Sequence, residues 1–220
     1  PAPERNNVMP APAHLEFFAG RLPVTAAFEV AVNGHDDARL RGAIARFLQG
    51  WTVHTGLNFA DATAVPHTAS ATLVIDCAGP GPAIPVLGED ESYTLDVTAR
   101  QAILRAPTVI GAMRGLETVL QRVNHDAAGW FLPAVSIRDR PRFPWRGLMI
   151  DVCRHWQPFD VIERNLDGMA LVKLNVLHLH LTDDQGFRIE SRTHPELQEK
   201  GSDGHYFTQA QMRALIAYAA

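Results

Sequence analysis

Between Trp145 and Ala220 the sequence runs through one pattern twice: a strand-length apolar run, a polar loop, a capped helix. "GLMIDV" (Gly147–Val152) is long enough for a strand buried on both faces. After a short loop Asp160 can cap a helix, with Glu163 in the capping-box position and Ile162, Leu166, Met169 and Ala170 as its apolar face. "NVLHLHL" (Asn175–Leu181) reads as the next strand. Thr208 and Gln211 then open a second helix, along which Met212, Leu215, Ile216 and Ala219 face one way. A crossover helix between two strands makes them parallel, so the spacing predicts adjacent parallel strands over 147–152 and 175–181. The loops that follow them, Asp151 to His155 and Asp183 to Arg188, then share the C-terminal edge, where α/β folds collect their chemistry.

The pattern before Pro144 is different. Asp36-Asp37 can cap a helix whose apolar face is Leu40, Ile44, Phe47, Leu48 and Trp51. A second helix starts at Thr108 and carries Ala112, Met113, Leu116, Leu120 and Val123. Strands are expected at Phe28–Val32, Thr72–Cys77, Tyr93–Val97 and Gln101–Arg105, the last two joined as a hairpin through Thr98-Ala99-Arg100. "CAGPGPAIP" and "RDRPRFP" read as loops, and "GEDES" (Gly88–Ser92) as solvated turn charge. The expected fold class is therefore α/β. A small α/β domain with an antiparallel-rich sheet spans 1–143, and the opening two βα units of a larger parallel architecture span 144–220.

Composition excludes some functions. A net charge of −4 without a basic block argues against a nucleic-acid surface. No apolar run approaches the roughly 18 residues of a membrane span. Cys77 and Cys153 lie far apart, and each reads as a small buried apolar residue rather than half of a disulfide. The cysteines leave the compartment open; a periplasmic or secreted setting is favoured over the cytoplasm. The chain begins at Pro1 without a methionine, which is compatible with removal of a leader or tag.

"LHLHLTDDQGFRIE" (Leu177–Glu190) holds the most suggestive polar residues. Along a strand His178, His180 and Thr182 share one face, and Leu179, Leu181 and Asp183 the other. That alternation argues against a metal cluster of His178, His180 and Asp183 built on the strand alone. His194 and His205 lack ligand-like spacing. No metal and no cofactor are expected; metal-dependent hydrolysis through His178 and His180 trails as an alternative. Hydrogen bonding within the sheet is the plain reading of the two histidines, and a turn or cap role that of Asp183 and Asp184.

"FPWRGLMIDVCRHWQP" followed by "KLNVLHLHLTDDQGFRIE" resembles glycoside hydrolase family 20, the β-N-acetylhexosaminidases. "HPEL" and "YFTQAQMRALIAYA" continue the likeness. It extends into the first domain through "VMPAPAHLEFFAG", "VIGAMRGLETVLQRV" and "LPAVSIRDRPRFPWRG", and is denser after about Leu132. The resemblance implies a (β/α)8 catalytic barrel. It also implies removal of terminal β-linked N-acetylhexosamine from glycans or chito-oligosaccharides, with the substrate's own 2-acetamido oxygen as nucleophile. It makes Arg154 the residue that grips the sugar's outer hydroxyls. Asp183 becomes the aspartate that supports the general acid, with Asp151, His155, Asp184 and His180 as surrounding support.

The general acid of such enzymes is a glutamate preceded by an aspartate on a later barrel strand. From Trp145 to Ala220 there are 76 residues, against about 250 for an eight-fold barrel. No Asp-Glu pair follows Asp183. The expectation is a barrel truncated after two βα units. An inactive fragment or non-catalytic domain is the alternative reading, and the 220-residue chain alone is expected to be inactive. The oligomeric state is not indicated.

Overall fold

The computed structural model describes residues 6–59, 65–66 and 70–220. The chain forms two compact units, Pro1–Pro144 and Trp145–Ala220. In the first, the elements are β1 (His14–Pro23), β2 (Val30–Gly34), α1 (Ala38–Thr55), β3 (Val65–Pro66), β4 (Leu73–Cys77), β5 (Tyr93–Val97), β6 (Ala102–Ala106), α2 (Val109–Arg122), β7 (Asn124–Asp126) and β8 (Gly129–Asp139). The strands form one sheet in the order β1-β8-β5-β6-β4-β2-β3, with β7 added alongside β8.

Half of this sheet is antiparallel, through β1·β8, β8·β5 and the β5·β6 hairpin. The other half, β6·β4, β4·β2 and β2·β3, is parallel. The parallel pairing of β2 with β4 follows from α1, which carries the chain from the end of β2 back toward the start of β4. Asp37 caps α1 by accepting the Leu40 N–H at 2.9 Å, and Gly56 ends it in the left-handed conformation that glycine adopts without strain. Thr108 caps α2 through the Gly111 N–H. The expected apolar face of α1 is buried throughout, and Trp51 is enclosed by Phe28, Phe47 and Phe59. Two long strands were missed, β1 and β8. Both are interrupted, β1 by a register shift between Phe17 and Arg21, β8 by Pro133 within its run. "RDRPRFP" is not wholly loop, since Arg138 and Asp139 close β8.

"GEDES" corrects the expectation more sharply. Glu91 is 4% exposed and its carboxylate lies 2.7 Å from the guanidinium of Arg114, itself 9% exposed. It is half of a buried ion pair, not solvated turn charge. The partner comes from α2, which local sequence around Glu91 could not show.

In the second unit β9 (Gly147–Asp151), α3 (Phe159–Leu171) and β10 (Val176–His180) form a βαβ unit. β11 (Thr182–Asp183) and β12 (Gly186–Phe187), α4 (Glu196–Gly201) and α5 (Gln209–Ala219) follow. β9 and β10 pair in parallel, with Gly147 opposite Val176 and Asp151 opposite His180. Val152, Ile162, Leu166, Met169, Phe207 and Leu215 make the core of this unit.

Three expectations are corrected here. β9 is not buried on both faces: Leu148 and Ile150 pack on the core, but Met149 is 57% exposed, because among the described residues the helices cover one face only. Asp160 does not cap α3. Pro158 takes that position, and Asp160 lies in the first turn, bonded to Arg164. Ala170, Ile216 and Ala219 are exposed, outside the buried stripes of their helices. The capping box of Thr208 and Gln211 is formed as expected.

Candidate active site

Asp151 is the last residue of β9. Its Oδ1 accepts the N–H groups of Cys153 at 3.0 Å and Arg154 at 3.1 Å, so the carboxylate itself folds the loop into a turn. The turn brings Arg154 back over the strand end. Its Nη1 donates to Asp151 Oδ2 and its Nη2 to Asp183 Oδ2, each at 2.6 Å. Asp183 therefore joins the ends of the two parallel strands. Its Oδ2 also meets His180 Nε2 at 2.9 Å, and its Oδ1 accepts the Asp184 N–H at 2.8 Å.

The alternation expected along 178–183 fails at this point. β10 ends at His180, and Thr182-Asp183 pairs with Gly186-Phe187 in a tight antiparallel hairpin. The hairpin turns Asp183 to the side of His180 rather than away from it. His178 is exposed and opposite Met149 in the sheet, outside the hydrogen-bonded set around Asp183. His155 is exposed. Asp184 is exposed and contributes its backbone amide rather than its carboxylate.

The electrostatics follow from these bonds. The Arg154 side chain, foremost, holds the Asp151 carboxyl below its ordinary range. The Asp184 amide, then His180 and Arg154, do the same for Asp183. Asp151 in turn raises Arg154, which stays a cation. The Arg154 side chain is 52% exposed, so donors beyond those engaged by the two carboxylates face outward. A planar fork held between two carboxylates suits a pair of vicinal hydroxyls.

Asp151, Cys153 and His180 bring an oxygen, a sulfur and a ring nitrogen within 4.8 Å of one another. The set does not favour a metal. Asp151 is held by Arg154, His180 by Asp183, and the Cys153 thiol donates to the His180 carbonyl at 3.2 Å. Burial, then the charges of Asp151 and Asp183, push the Cys153 thiol up, whereas a ligand must be a thiolate. His178, the other histidine of the metal alternative, is not in this group. Cys77 and Cys153 are both buried and free.

Arg188, which the sequence did not single out, lies beside this set, bonded to the Cys153 and Gln185 carbonyls. It is 7% exposed; its Nη1 and Nη2 donate to backbone carbonyls of the surrounding loops, and its Nε is buried without a hydrogen-bond partner among the described residues. The available signal was weak: an arginine alternating with apolar Phe187 and Ile189 just after a glycine turn.

The second unit thus opens a βα-barrel type of protein, with its polar set at the carboxyl ends of two parallel strands and a separate sheet unit ahead of it. Residues 143–220 match the family model "Glycosyl hydrolase family 20, catalytic domain", and residues 5–140 match "Glycosyl hydrolase family 20, domain 2". The chain belongs to glycosyl hydrolase family 20. It is 45% identical over 153 residues to the mouse β-hexosaminidase subunit beta and 46% identical to the human one. These matches cover 68% of this chain but only 28% and 27% of those proteins. The structure superposes on Flavobacterium johnsoniae chitobiase with a TM-score of 0.91 at 43% identity, over 97% of this chain and 32% of that one. A Vibrio harveyi exo-β-N-acetylglucosaminidase, solved with N-acetylglucosamine, gives a TM-score of 0.77 at 26% identity, over 96% and 34%. The chain spans about a quarter to a third of the length of these relatives. Among the described residues no helix is long and apolar enough to cross a membrane.

Proposed function

We propose that these residues are part of a β-N-acetylhexosaminidase that removes terminal β-linked N-acetylhexosamine from glycans or chito-oligosaccharides. The observation that carries the reading is the Asp151–Arg154–Asp183–His180 set at the strand ends of a family 20 chain. In this reading Arg154 grips the outer hydroxyls of the terminal sugar with its exposed donors. Asp183, an anion held against Arg154 and His180, orients the general acid supplied by a later barrel strand and keeps its proton available for the leaving oxygen. The 2-acetamido oxygen of the substrate attacks the anomeric carbon, and water later opens the cyclic intermediate with retention. Asp151 positions Arg154; His155 and Asp184 support the rim. The first unit, 1–143, takes no part in the chemistry, and 144–220 is the start of the catalytic barrel. A periplasmic or secreted setting would give access to such glycans.

The test is hydrolysis of an aryl N-acetyl-β-glucosaminide by a complete family 20 barrel carrying these residues. Arg154→Ala should raise KM and lower kcat/KM at least about tenfold. An unchanged kcat/KM would defeat the assignment. The 220-residue polypeptide by itself should show no turnover, since among its residues no Asp-Glu pair follows Asp183.

A further inference from the structure

Arg188 is a buried cation with no carboxylate partner among the described residues. Its Nη2 donates to the carbonyls of Cys153 at 3.1 Å and Gln185 at 3.3 Å. Its Nη1 donates to the carbonyls of Ser202 and, at 3.3 Å, His205. Its own backbone is fixed as well, the N–H to Leu181 at 2.8 Å and the carbonyl to the Phe207 N–H at 2.9 Å. The four carbonyls belong to three segments: the β9 loop, the β11–β12 hairpin, and the loop after α4. The Cys153 carbonyl is in the peptide that leads into Arg154. The Gln185 carbonyl is in the turn of the hairpin that carries Asp183.

Gly186 completes the arrangement. A Cβ there would lie 2.4 Å from Arg188 Nε, 2.5 Å from Cζ and 2.7 Å from Nη2. The guanidinium plane thus occupies the space a side chain at 186 would need. Only a fork with several coplanar donors reaches this many carbonyls, and a lysine ammonium cannot.

We propose that Arg188 is a positioning residue for the proposed glycosidase reaction: it ties the Cys153 and Gln185 carbonyls to one rigid cation and so sets the Arg154–Asp183 pair. The proposal rests on the assignment of Arg154 and Asp183 above. Arg188 touches neither substrate nor reacting atoms; it acts by holding the two loops in one register, where a displacement of about 1 Å can cost about a hundredfold in rate.

The experiment is a double-mutant cycle in the complete barrel carrying these residues, assayed with 4-nitrophenyl N-acetyl-β-glucosaminide. Arg188→Lys keeps the charge and loses the fork; Gly186→Ala keeps the fork and displaces it. Each should lower kcat/KM about ten- to a hundredfold with the far-ultraviolet circular dichroism of the parent. Placed on Arg154→Ala, either change should cost less than about threefold, because the pair it positions is already gone. Full additive losses in that background would overturn the proposal, as would parental kcat/KM in both single variants. Should Arg188→Lys fail to fold, Gly186→Ala decides; if neither folds, Arg188 serves the fold alone and the proposal is wrong. A harmless Arg154→Ala would instead bring down the assignment of Arg154, and this proposal with it.

Discussion

Replacing Glu91 by leucine would expose how the first unit is held together. The carboxylate lies 2.7 Å from the guanidinium of Arg114, and the two residues are 4% and 9% exposed. Leucine restores apolar volume but leaves a guanidinium in the interior without its anion. Removing one partner of a buried pair costs about 3–5 kcal/mol, a large share of the roughly 5–15 kcal/mol that stabilises a domain. Removing both charges is a different perturbation. Glu91→Leu with Arg114→Met takes the desolvation cost away along with the attraction, and such replacements are about neutral or stabilising. The double variant should therefore fall within about 1 kcal/mol of the parent. Urea unfolding reads this through the fluorescence of Trp51, which is fully buried in the same unit, with Trp130, Trp145 and Trp156 replaced by phenylalanine. A single variant that loses less than about 1 kcal/mol, or a double variant no more stable than the single, would refute the argument that the pair is desolvated.

In the complete barrel, Asp183→Asn should lower kcat about ten- to a hundredfold with the fold intact, because either amide orientation turns a donor toward Arg154 and His180 or toward the Asp184 N–H; steady-state kinetics beside circular dichroism checks it. Arg154→Lys should lower kcat/KM by a similar factor through a weaker grip on the sugar, seen as a raised KM. Asp151 and Asp183 titrate below the ordinary aspartate value of 3.8 in the folded chain. Their contribution to stability is then fully present above that value and is lost as pH falls through their lowered folded values. Acid unfolding of the second unit followed from pH 5 downward should show this limb, and Asp183→Asn should flatten it. Thr208→Ala removes the side-chain acceptor that closes the capping box of α5 and should cost about 1 kcal/mol in a thermal or urea melt.

Several features were legible in the residues themselves because their causes are local. The stripe of Leu40, Ile44, Phe47, Leu48 and Trp51 repeats at helical spacing, so α1 could be read without its neighbours. Thr108 and the Thr208–Gln211 pair announce helix starts by short-range hydrogen bonds. Two apolar runs separated by one helix length left parallel pairing of β9 and β10 as the expected topology, and their loops marked the edge where Arg154 and Asp183 would meet.

What tertiary structure alone decided depends on groups far apart in the chain. The side of the sheet that Asp183 faces was misread from strand alternation, because the hairpin to Gly186-Phe187 ends the strand at His180 and reverses the chain. Glu91 looked like a solvated loop charge because its partner is 23 residues later, on a helix. Arg188 looked like one polar residue in a loop, because carbonyls carry no signature in a sequence and those it binds belong to residues 3 to 35 positions away. Periodicity and capping are written in side chains a few residues apart and can be read directly. Burial of charge, as in Glu91 and Arg114, and the convergence of backbone carbonyls on one cation, as at Arg188, exist only once distant segments pack.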